Sequence, residues 1–171
     1  MPRHIELNPV SHITIGTVGE PGNRTFYLQG SHSRDIVTLT IEKQHAVMLA
    51  SSLDYLLNDL EQAAPGRPEP QTDAWMGDHR LREPLEPMFR VGNLNLGYSE
   101  EVHRIVVVAY ELVDEEDESD VVSFWASKEQ IQALIPHIQS VVKAGRPICG
   151  NCGEAVDRSG HFCPRRNGHL H

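Results

Sequence analysis

A chain of 171 residues with 39% apolar and 23% charged side chains is built to bury one ordinary core rather than to stay disordered. Its net charge of −9 argues against general binding to nucleic acid or anionic membrane, since both require positive surface. No run approaches the roughly 20 apolar residues that span a bilayer, the start MPRHIELNPV has no apolar signal core, and three cysteines crowded at one end do not make an extracellular disulfide framework; a cytoplasmic protein is the expectation.

The chain then reads as two similar runs. HITIGTVG (12–19) and RTFYLQG (24–30) alternate as strands around the Pro/Gly turn signal EPGN, and DIVTLTI (35–41) follows as a third. From EKQHAVMLASSLDYLLNDLEQ the period changes. Ala46, Leu49, Ala50, Leu53, Leu57 and Leu60 recur at three- and four-residue spacings, the apolar stripe of a helix packed on a sheet. Residues 64–87 are polar and carry Pro65, Pro68, Pro70, Pro84 and Pro87, the composition of a linker or long excursion.

The pattern restarts with FRVGNLNLGY (89–98), HRIVVVAYELV (103–113) and DVVSFWA (120–126), each read as a strand, followed by the helix SKEQIQALIPHIQSVVKAG. Ser127 with Gln130 matches a capping box. Ile131, Leu134, Ile135, Ile138, Val141 and Val142 form the buried stripe, and Pro136 inside it predicts a kink. TLTIEKQHAVMLASSLDYLL aligns in pattern, though hardly in identity, with SFWASKEQIQALIPHIQSVV. The expected fold is therefore α+β: a mainly antiparallel sheet from two β-β-β-α units, 12–63 and 88–144, with the helices on one face. Together they make one domain over residues 10–146, and a small zinc knuckle occupies 147–171.

That tail, ICGNCGEAVDRSGHFCPRRNGHLH, holds all the cysteines. Cys149-x-x-Cys152-Gly153 lets a tight turn aim two thiolates at one point, with the glycine freeing the backbone. Cys163 supplies a third. His161, two positions earlier, leaves the same side of an extended segment; His169 competes as fourth ligand, and His171 is a weaker choice. Thiolates with imidazole favour Zn²⁺ over hard cations. Redox chemistry at the CxxC is the competing reading, but the thioredoxin-like strand that should precede such a pair is missing from the pattern. Three thiolates quench Lewis acidity and no HExxH accompanies them, so the expected metal is structural.

Other residues have plainer readings. The acidic run from Asp114 to Asp120 is the solvated loop of a hairpin. Arg24 and Lys43 stand beside strand ends, where they could line an anion pocket. His45 and His103 have no nucleophile at a matching spacing, and Trp75 and Trp125 are expected to pack.

EPGNRTFYLQG, IEKQ, LEPMFRVGNLNLGY and CGNCGEAVDRSGHFCPRRNGH together resemble the domain of unknown function 3090 family, a set of bacterial proteins of about this length with no assigned activity. The family's CxxC and GHxCPR map onto Cys149, Cys152, His161 and Cys163, and this resemblance implies His161 rather than His169 as the fourth ligand. It carries no catalytic residues. The expected function is a binding or adaptor module in which Arg158, Arg165 and Arg166, on a tail of net charge +3 beneath a body of −12, contact a protein or a phosphate-bearing partner. An acidic body with a basic tail also suits a homo-oligomer. An enzyme acting on a phosphorylated small molecule through Arg24 and Lys43, and an RNA- or ribosome-contacting zinc module, are the alternatives.

Overall fold

The computed structural model describes residues 2–20, 22–63, 78–114 and 118–144. In chain order the elements are β1 (His4–Leu7), β2 (His12–Val18), β3 (Thr25–His32), β4 (Asp35–Ile41), α1 (Lys43–Ala63), β5 (Pro87–Ser99), β6 (Arg104–Glu111), β7 (Val121–Ser127) and α2 (Lys128–Ala144). Every strand and helix read from the sequence is present. β1 is an addition: its four residues, HIEL, are too short to show a period and are placed by pairing with β7.

The fold is α+β with a mostly antiparallel sheet of seven strands in the order β1-β7-β6-β5-β4-β3-β2. Two antiparallel meanders, β2-β3-β4 and β5-β6-β7, meet where β4 runs parallel to β5, and β1 joins the far edge parallel to β7. Parallel neighbours need a crossover, and α1 with the segment after it provides the one between β4 and β5.

The sheet does not stay open. β7 and β3 are four strand steps apart, about 19 Å along a flat sheet, yet Phe124 of β7 lies directly on Gly30 of β3. A Cβ at residue 30 would overlap the Phe124 ring and come 3.3 Å from Leu7 Cδ1. The two halves are therefore folded onto each other, as in a sandwich, with glycine at the closest approach because no side chain fits there. Residues 8–11 stitch the halves together: Val10 N–H donates to Trp125 O (2.8 Å) and Ser11 N–H to Ser31 O (2.8 Å).

One core results. Ile13, Ile15, Leu28 and Leu39 from the first half share it with Ile105, Val107, Ala109, Val122 and Phe124 from the second. The helices add Ala46, Leu49, Ala50 and Leu53 from α1 and Ile131, Leu134, Ile135 and Ile138 from α2. α1 packs on α2, and α2 also lies against β2, covering a terminal strand that would otherwise invite foreign pairing.

The capping box forms as read: Gln130 N–H donates to Ser127 Oγ (3.1 Å) and Ser127 N–H to Gln130 Oε1 (2.9 Å). Gln130 Nε2 also donates to Val10 O (3.0 Å), so the cap clamps the strand connection as well. Pro136 lies within α2 and the helix continues past it. Both Pro136 and Gln132, whose carbonyl loses its partner, are exposed, so water can satisfy that carbonyl.

Candidate functional site

Strand alternation gives β2-β3-β4 two faces. One carries the apolar side chains of the core. On the other, the register aligns Thr14, Gln29 and Thr38 in one row and His12 with Ser31 in the next. This second face is polar, yet His12, Thr14, Gln29, Ser31 and Thr38 are all 2% exposed or less. Polar groups that deep must be hydrogen-bonded, and their cover is residues 78–86.

The described residues of the segment 64–87 that precede β5 form a strap across the polar face, the course of an excursion rather than of a solvated connection. Gln29 grips it at one residue, through both of that residue's backbone polar groups: Arg82 N–H donates to Oε1 (2.7 Å), while Nε2 donates to Arg82 O (3.0 Å) and to Thr38 Oγ1 (3.0 Å). Thr14 Oγ1 donates to His79 O (2.7 Å). Leu81 presses on Gly16, where a Cβ would fall 2.6 Å from its Cγ. A side chain at residue 16 would lift the strap.

Three imidazoles gather at the strap's start. His79 stacks on His137 of α2, with ring centroids 4.4 Å apart and planes at 14°. His137 Nε2–H donates to Ile15 O (2.8 Å), which fixes its tautomer and ties α2 to β2. His12, 1% exposed, has an enclosed Nε2 with no hydrogen-bond partner among the described residues. Burial holds the His12 imidazole below its usual pKa and the Arg82 guanidinium adds to this, against smaller opposite pulls from the Arg80 backbone and Asp78. Burial also lowers His79, reinforced by His137 and His12 and opposed by Asp78. His12 and His79 are therefore kept neutral near pH 7. Among the described residues, no group of three or more His, Cys, Asp or Glu is arranged to hold a metal ion.

The other candidates from the sequence divide between structural work and open surface. Arg24 donates to Val141 O (2.9 Å) in the last turn of α2 and covers the Phe26 ring at 4.8 Å, a cation placed where the helix dipole favours one. Lys43 begins α1. His45 accepts from Glu42 N–H at Nδ1 (3.0 Å) and donates from Nε2 to Gly92 O (3.1 Å), joining the start of α1 to a register shift in β5; both nitrogens are occupied. His103 sits at a positive φ of 54° in the β5–β6 turn, 3.3 Å from Tyr98 Oη. Trp125 is half-buried on β7. Trp75 lies outside the described residues.

The outer face of the second half is different. His4, Val108, Tyr110, Val121 and Ser123 line an open hollow of about 380 Å³, with His4 Nε2 3.2 Å from Ser123 Oγ. Arg3 pairs with Asp120 at 3.1 Å at its rim.

The proposed zinc ligands Cys149, Cys152, His161 and Cys163, the alternatives His169 and His171, and the basic Arg158, Arg165 and Arg166 all lie outside the described residues. Here comparison with known proteins is informative. The model of a family described as protein of unknown function (DUF3090) matches residues 5–163. The chain belongs to that family. No curated protein and no solved structure matches it. In this DUF3090 protein the matched span includes the polar face, the strap, both helices and all three cysteines. Among the described residues no helix is long and apolar enough to cross a membrane.

Sequence reasoning missed the strap and the polar face. The signal was present as alternation: H-x-T-x-G in β2 and Q-x-S in β3 place polar or minimal residues opposite the apolar ones. The same alternation describes a solvated face, and only the position of residues 78–86 distinguishes the two.

Proposed function

We propose that this DUF3090 protein is a binding or adaptor protein whose C-terminal residues close around one structural Zn²⁺ held by Cys149, Cys152, His161 and Cys163. The observation that carries this reading is where the family match ends. It runs to Cys163, taking in the three thiols and His161 and leaving His169 outside. The donor set suits zinc, and three thiolates with an imidazole make a closed, electron-rich site of structural type. The metal would supply ordering energy, on the order of 10 kcal/mol, to a segment too short for its own core.

Arg158, Arg165 and Arg166 then stand on a fixed basic surface suited to a protein or phosphate-bearing partner. The acidic body supports the same reading, because unlike charge on the tail favours recognition there. Arg24 is engaged with the end of α2, which favours a binding role over a phosphate pocket built on Arg24 and Lys43. The repeated order β-β-β-α, with each helix following its meander directly, supports an origin by internal duplication.

Metal analysis of protein purified without added metal, alongside Cys163→Ser, tests the proposal. One zinc per chain is expected, lost in the variant together with protease resistance of residues 147–171. No metal, with Cys149 and Cys152 cycling to a disulfide, would replace it with a redox reading.

A further inference from the structure

The strap is held by two kinds of contact that respond differently to acid. The Gln29 and Thr14 bonds to its backbone involve no titrating group. The other contact is the imidazole cluster, in which His79 lies on His137 and the buried Nε2 of His12 has no partner among the described residues. A closed arrangement of this sort tolerates neutral rings and not cations. His12 meets Arg82 and the Arg80 backbone from the strap, and His79 meets His137 from α2 and His12 from β2. Asp78 is the acidic group that acts on both rings.

We propose that residues 78–86 form a pH-sensitive latch, closed over the polar face of β2-β3-β4 while His12 and His79 are neutral and released when they take up protons. Charge on either ring is unfavourable in the closed form, next to Arg82, to the other ring, or within a site that excludes water. Release returns both rings to solvent and uncovers Thr14, Gln29, Ser31 and Thr38. The direction follows from linkage. Both rings titrate below their ordinary value of 6.5 when the strap is closed, so the open form binds more protons. Closure is complete above pH 6.5 and weakens as the pH falls from there through the lowered values. The sheet beneath is held by ladder bonds that do not titrate, so the latch opens without unfolding the domain.

Hydrogen exchange on the full chain at pH 7.5 and 5.5, corrected for intrinsic exchange rates, tests the latch. Each extra proton taken up on opening changes the equilibrium by up to about tenfold per pH unit. At pH 5.5 the amides of residues 79–82 are therefore expected to open more than at pH 7.5, by up to about tenfold for each ring that takes up a proton, with the β2–β3 ladder unchanged. The pair His12→Gln and His79→Phe should remove this response. If the double variant is already open at pH 7.5, His79→Phe alone, which keeps a ring against His137, should show a reduced response. The latch is overturned by equal strap protection at both pH values, by a β2–β3 ladder that opens together with the strap, or by a full pH response in the variants.

Discussion

The two half-sheets present outer faces of similar pattern and opposite fate. In β2-β3-β4 the outward positions include the more polar residues His12, Thr14, Gln29, Ser31 and Thr38, and these are the more deeply buried. In β5-β6-β7 the outward positions include Val108, Tyr110 and Val121, more apolar residues that stay half-exposed around an open hollow. Hydrophobicity alone would reverse that assignment. Hydrogen-bonding capacity explains it, because irregular backbone can be buried only where something satisfies its N–H and C=O groups. Gln29, with a donor and an acceptor on one amide, does so for Arg82. The valines of the other face could not hold a strap.

The largest expected effect is at the contact that brings the halves together. Phe124→Ala removes the ring lying on Gly30 and leaves a cavity between β7 and β3, at a cost of about 3–5 kcal/mol in denaturant unfolding. A loss below about 1 kcal/mol would mean that the halves are not packed there.

A smaller effect separates the two faces. Gln29→Ala leaves the Arg82 N–H and C=O and Thr38 Oγ1 without their partner, worth about 1–3 kcal/mol. Hydrogen exchange should place the increase first in residues 79–82, making the first face resemble the second. Unfolding of the whole domain with no selective change in the strap would show that the strap adds nothing separable.

The matching truncation on the other face is the smallest. Ser123→Ala removes the hydroxyl facing His4, and with His4 exposed water can replace it, so the expected cost is under about 1 kcal/mol. A loss equal to that of Gln29→Ala would erase the contrast between covered and open faces.

The features readable in the chain were those written in neighbouring residues. Both helical stripes, six of the strands and the Ser127–Gln130 cap depend on spacings of two to four residues. The expected linker or excursion shows where such reading stops. Proline and charge in residues 64–87 describe a segment without a period, and they are silent on whether it crosses solvent or a row of waiting amides. Arg24 looked like a free cation because its partner, Val141 O, lies far along the chain. The spacing around His45 showed it no partner across the crossover, where one of its two bonds ends at Gly92.

Local periodicity by itself determined the α+β class, the order of the elements and the side of each that turns inward, since φ/ψ preference and apolar spacing act over a single turn or strand. The thiol and imidazole spacing after residue 147 is local in the same sense, and it is the basis of the zinc proposal. Tertiary structure alone decided that β1 pairs with β7, that the sheet folds over with Gly30 against Phe124, and that residues 78–86 lie on Thr14 and Gln29 beside three histidines. Those contacts join groups far apart in sequence, and their energy exists only once the core has brought the chain back on itself.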